Sequence, residues 1–233
     1  MIPLRDINPR RTTPVVNVIL IVVNVLMFFW EISLGPHIEQ VLFYAAFIPS
    51  RFWAYPTLII PNGFSILISM FLHGGWLHLG GNMLYLWIFG DNIEDRLGHF
   101  RYFVFYLACG FAATLTHAFF NAGSDVPSIG ASGAIAGVLG AYLLLFPRAR
   151  VTTLIPIFVF VIIRDIPAVV VLGLWFVLQL FVGVESLGGR GGSLGGVAYF
   201  AHIGGFAAGI VLVILMGGLR HPPAPRVAQS SRY

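Results

Sequence analysis

Gly130-Ala131-Ser132-Gly133-Ala134-Ile135-Ala136-Gly137-Val138-Leu139-Gly140-Ala141-Tyr142-Leu143-Leu144-Leu145-Phe146 is a hydrophobic run with a serine about one turn inside its start. Two more apolar runs open in the same way, with His78-Leu79-Gly80-Gly81-Asn82 and with Ala201-His202-Ile203-Gly204-Gly205. A hydroxyl, an imidazole and an amide thus sit where an unpaired polar group costs several kcal/mol. A nucleophile, its base and an oxyanion donor inside a membrane would need that arrangement.

Composition sets the surroundings of these groups. The chain of 233 residues is 58% hydrophobic and only 9% charged, whereas a soluble domain is about one quarter charged. It reads as a polytopic membrane protein of the all-α class, a bundle of transmembrane helices. All 13 basic residues are arginine. The pI near 9.6 does not signal nucleic acid, because the arginines flank apolar segments instead of clustering. A single cysteine, Cys109, excludes an internal disulfide. The first apolar run ends in Phe28-Phe29-Trp30-Glu31, with no small-x-small cleavage site, so it is expected to stay as an anchor.

Six spans are expected, at 15–34, 76–92, 101–121, 131–146, 168–182 and 199–216. A seventh apolar stretch, 153–163, is shorter than the ~17 residues of a span. It is β-branched and contains Pro156, and is expected to be interfacial or partly embedded. With six spans, Arg5, Arg10, Arg11, Arg96, Arg101, Arg148, Arg150, Arg164, Arg220, Arg226 and Arg232 fall on one side, and only Arg51 and Arg190 on the other. The positive-inside rule then makes both termini cytoplasmic. Residues 1–14 form a cytoplasmic segment, 15–217 the membrane domain and 218–233 a proline-rich tail expected to be disordered.

Parity ties topology to chemistry. The second, fourth and sixth spans all run inward from the outer surface, so His78, Asn82, Ser132 and His202 share one depth. The fourth span covers about 24 Å of a ~30 Å hydrocarbon core, which sinks Ser132 beneath the surface in a cavity open to outside water. Gly133, Gly137 and Gly140 follow the serine at helical spacing, and Gly205 and Gly209 follow the histidine. Small residues so spaced let membrane helices approach closely, although ordinary packing without chemistry uses the same pattern.

A serine hydroxyl is a weak nucleophile until a base takes its proton. Ser132 as nucleophile and His202 as base meet that need. First-turn N–H groups around Ser132 and Gly133 lack intrahelical acceptors and can serve an oxyanion. His78 and Asn82, at i and i+4, face the same spot, and Asn82 can add a side-chain N–H. Taken singly, a membrane serine usually back-bonds to the preceding turn. The bland accounts do not bring all four groups to one depth. Gly130-Ala131-Ser132-Gly133 is not the α/β-hydrolase elbow, and no intramembrane carboxylate completes a Ser-His-Asp triad. Asp125 and Glu185 lie in outer loops, so a Ser-His dyad is the economical arrangement. No cofactor and no metal are called for.

The set His78 and Asn82, Gly130-Ala131-Ser132-Gly133, and Ala201-His202 with Gly205 and Gly209 resembles the rhomboid intramembrane serine proteases, over nearly the whole chain. The resemblance implies a six-helix bundle in a bacterial inner membrane that cleaves transmembrane protein substrates near their outer end. It also implies Ser132 as nucleophile, His202 as base, and His78 and Asn82 at the oxyanion. Asn92-Ile93-Glu94-Asp95-Arg96-Leu97-Gly98 resembles the family's cytoplasmic end of the second helix, where Glu94 and Arg96 are structural. Many members carry an aromatic residue one turn after the serine, stacked on the histidine; here Ala136 stands there, with Phe206 or Tyr199 as substitutes. The Trp-Arg pair that some members carry in the first outer loop is missing near Phe64-Ser65. That loop, 35–75, holds Trp53, Tyr55 and several prolines instead, which suits the outer leaflet.

Two other functions fit the composition. A non-catalytic member of the fold would bind client helices, but has no need of Ser132 and His202 together. A metal or proton transporter would use His73, His78, His117 and His202, but needs polar groups on both sides of the midplane, and the inner half shows no such track.

Overall fold

The computed structural model describes residues 1–157, 160–187 and 198–219. Strand β1 (Ile2–Asp6) precedes helix α1 (Val15–Ser33). Short helices α2 (Ile38–Ala45), α3 (Pro49–Ala54) and α4 (Ile59–Ser69) lead to the long helices α5 (Trp76–Leu97) and α6 (His99–Phe120). Helix α7 (Ser132–Leu145) is followed by strands β2 (Arg150–Ile157) and β3 (Phe160–Pro167), then by α8 (Ala168–Leu187) and α9 (Tyr199–Leu215). The expected spans correspond to α1 and α5 to α9. Of these, α1, α6 and residues 168–185 of α8 are long and apolar enough to cross a membrane by themselves. Of the expected tail, 218–233, residues 220–233 lie outside the described residues.

Helix α7 is the axis of the bundle. Every residue from Gly133 to Tyr142 is buried, because this helix is apolar or small all round and has no side to turn to solvent. It packs most extensively against α9, and also against α5, α6 and α8. The glycines explain how near α9 comes. A Cβ built on Gly205 would lie 2.0 Å from the carbonyl oxygen of Gly133, and one on Gly209 would lie 2.0 Å from that of Gly137. A Cβ on Gly140 would meet the Phe206 carbonyl oxygen at 2.2 Å. On both helices the obstacle is backbone, so only glycine permits this separation.

The stretch 153–163, too short to span, is built largely of two strands. It belongs to an antiparallel hairpin in which Val151 pairs with Ile166 and Ile155 with Ile162. Its other edge pairs with β1, Pro3 opposite Thr153 and Asp6 opposite Val151. β-Branched residues on both arms favour the pleat, and the chain turns back well short of spanning length. The three-stranded sheet, in the order β1-β2-β3, caps one end of a molecule that remains helical in class.

The same end is tied together by carboxylates. Glu94, fully buried, accepts the N–H groups of Val16 (2.9 Å) and Asn17 (2.7 Å) in the first turn of α1, and also contacts Nδ1 of His99. Those N–H groups have no partner within α1. Asp95 accepts the backbone N–H of Arg11 and Thr12 and the Thr12 hydroxyl. Arg96 donates through Nε to the Gly218 carbonyl at 2.6 Å, which joins the end of α5 to the end of α9. Asp6 accepts from the Tyr142 hydroxyl at 2.6 Å, so β1 is moored to α7.

Candidate active site

At the opposite end of the bundle, Ser132 is the first residue of α7, and Gly130 sets up the approach. Gly130 has φ +123°, a conformation L side chains rarely adopt. A Cβ there would also lie 2.7 Å from Nε2 of His78. Ser69, which the sequence did not single out, holds this approach in place. Its carbonyl accepts the Gly130 N–H at 2.8 Å, and its hydroxyl accepts the Phe47 N–H at 2.7 Å. Phe47 in turn pairs with Ser128. The loop before the serine is therefore fastened to the end of α4 and to residues 46–48.

His202 lies on the first turn of α9, 9% exposed, with its Nε2 2.8 Å from Oγ of Ser132. The close approach of α7 and α9 described above sets that distance. The first N–H in α7 with an intrahelical acceptor is that of Ile135, which donates to Ala131. The N–H groups of Ser132, Gly133 and Ala134 have no acceptor among the described residues and are donors of a helix start, at the positive end of its dipole. Beside them lies a cavity of about 20 Å³, lined in part by Ser69, Thr114, Ser128, Ser132 and Gly133. Its volume matches one water-sized group.

His78 and Asn82 lie one turn apart on α5 and both face Gly130. A Cβ on Gly130 would be 3.7 Å from Nδ2 of Asn82. The Asn82 Nδ2 is buried and has no hydrogen-bond partner among the described residues, which leaves a donor near the site. Nδ1 of His78 takes the Gly74 N–H at 3.4 Å. His73, whose N–H donates to the buried Glu31 carboxylate, places its ring 5.2 Å from that of His78. His117 is bonded to Asn121. Asp125 accepts from the Ser50 hydroxyl at 2.6 Å, and Glu185, expected in an outer loop, lies instead near the end of α8 with its side chain exposed.

The imidazole of His202 is held by α8, which sequence reasoning did not anticipate. Trp175 lies against it with ring centroids 5.7 Å apart, and Oε1 of Gln179 is 2.7 Å from its Nδ1. Phe206 stacks instead on Phe176, at 4.2 Å. Neither Phe206 nor Tyr199 replaces the aromatic missing at Ala136; Trp175 occupies that role from another helix.

The Rhomboid domain family model matches residues 61–219, more than half of the chain. The chain belongs to the rhomboid family. It is 34% identical over 158 residues to "Rhomboid protein 1, mitochondrial" of Saccharomyces cerevisiae, covering 65% of this chain and 41% of that protein. It is 32% identical over 194 residues to "Rhomboid protease GluP" of Bacillus subtilis, covering 82% of this chain and 35% of that protein. With "Rhomboid-type serine protease 2" of Emericella nidulans it shares 29% over 163 residues, covering 70% of this chain and 28% of the other. The chain thus spans well under half the length of these three relatives. Rhomboid membership and the apolar helices together make it a multi-pass membrane protein, in a family that includes named proteases.

Proposed function

We propose that this rhomboid is an intramembrane serine endopeptidase, and the contact of 2.8 Å between Ser132 Oγ and His202 Nε2 carries the proposal. The Ser132 hydroxyl donates to Nε2 and gives up its proton as Oγ attacks a substrate carbonyl. The resulting oxyanion accepts from the free N–H groups at the start of α7 and from Nδ2 of Asn82, with His78 at its side. A preorganised donor whose partner exists only in the transition state favours catalysis over ground-state binding, and the unpaired Asn82 amide has that character. His202 then protonates the departing amine, and water hydrolyses the acyl-enzyme.

The substrates are transmembrane segments that unwind near the outer surface, since a peptide bond in an intact helix is shielded from Oγ. Arginine placement puts the β-sheet end in the cytoplasm and the serine end outside. The test is labelling of the purified, detergent-solubilised chain by a fluorescent fluorophosphonate. Wild type is expected to label, and Ser132→Ala and His202→Ala to lose the label while keeping their helical content. A folded wild type that neither labels nor cleaves a reporter transmembrane helix would refute the protease assignment and favour a client-binding role.

A further inference from the structure

We infer that Gln179 is a positioning residue that sets the tautomer of His202, which makes a Ser132-His202-Gln179 relay from three separate helices. The inference rests on the protease proposal for its catalytic meaning and on geometry for its content. An amide oxygen can only accept, so Oε1 of Gln179 at 2.7 Å from Nδ1 requires the hydrogen of the neutral ring to be on Nδ1. Nε2 is then left with a lone pair facing the Ser132 hydroxyl at 2.8 Å. The opposite tautomer, with its hydrogen on Nε2, could not take the serine proton.

Three further observations support the role. Gln179 sits within an apolar helix, where an unpartnered amide costs several kcal/mol, and His202 supplies the partner. Trp175, one turn earlier on the same face of α8, lies against the same imidazole at 5.7 Å, so a single helix face grips the ring by its flank and by its Nδ1 edge. Among the described residues no carboxylate is bonded to His202: Asp125, in the loop before α7, accepts from Ser50, and Glu185 is exposed near the end of α8. Gln179 therefore stands where other serine hydrolases place an acid. Being neutral, it orients the ring without adding a charge to the apolar site.

The experiment uses the full chain in detergent micelles, with 15N-labelled histidine and a fluorophosphonate probe. The wild-type spectrum is expected to show His202 protonated at Nδ1, and an unprotonated Nδ1 would overturn the inference outright. Gln179→Met removes the acceptor at similar volume. It is expected to mix the two tautomers and to lower the maximal inactivation rate by the probe about 100-fold, with little change in probe affinity. Gln179→Glu keeps an acceptor oxygen and is expected to recover the rate to within about threefold, which a purely packing role would not produce. If Gln179→Met reacts at the wild-type rate with Nδ1 still protonated, the positioning role fails while the Ser132–His202 chemistry stands. If the folded wild type neither reacts with the probe nor cleaves a reporter transmembrane helix, the protease proposal fails and the tautomer spectra alone decide the role of Gln179.

Discussion

Among the described residues Asn82 keeps a buried, unbonded Nδ2 facing the loop before Ser132, and the two consequences of its removal are separable. Asn82→Ala deletes no resting-state hydrogen bond of that nitrogen, so the melting temperature in detergent is expected to hold or rise. The fluorophosphonate labelling rate is expected to fall about 100-fold, the loss that follows removal of one oxyanion donor. Gly209 predicts the reverse pattern. A Cβ there would sit 2.0 Å from the Gly137 carbonyl oxygen, so Gly209→Ala must part α7 from α9. It is expected to destabilise the fold by about 1–3 kcal/mol in a mixed-micelle unfolding titration. The sequence announced Ser132, His78, Asn82 and His202 because each is a polar group at the start of an apolar run, where chemistry is the least costly explanation. Gln179 gave no such signal. It lies 23 residues before His202 on another helix, and Ala136 marked a missing support without indicating its replacement.

Helix positions were legible because a membrane fixes how many apolar residues a span needs, although α5 and α8 each run five residues past the expected ends. What the elements do to one another was less so. That 153–163 was too short to cross could be read directly, but its pairing with 2–6 is a contact across 150 residues that no local pattern encodes. Two predictions belong to this end of the molecule. Glu94→Gln replaces the carboxylate that caps α1, leaving a weaker acceptor for the buried N–H groups of Val16 and Asn17. It is expected to cost about 1–3 kcal/mol, measured by the same unfolding titration. Asp6 titrates with a pKa pushed up to about 6, chiefly by burial, with nearby Asp91 adding to the rise and the Tyr142 hydroxyl opposing it. A carboxyl raised in the folded state favours folding most below its unfolded pKa, ~3.9, and loses that contribution as pH climbs through about 6. Mooring of β1 is therefore expected to be tighter at pH 5 than at pH 8. Hydrogen exchange of residues 2–6 checks this, and Asp6→Asn is expected to flatten the dependence.

For the whole molecule, the arginine distribution makes a prediction about sidedness. The native Cys109 is buried, so the chain offers a quiet background for introduced thiols. In intact bacterial cells expressing the protein, a membrane-impermeant maleimide is expected to reach Ser124→Cys, beside the serine loop. It should reach Arg148→Cys, beside the hairpin, only after lysis. The reverse result would invert the proposed orientation and turn the cavity beside Ser132 toward the cytoplasm. Backbone meets backbone where Gly137 and Gly209 touch, and this bears on how the molecule dies on heating. With no side chains between them to soften, the helices that carry Ser132 and His202 cannot drift apart by degrees. Thermal inactivation should coincide with the loss of helical signal, as a single cooperative event without a folded but inert stage before it.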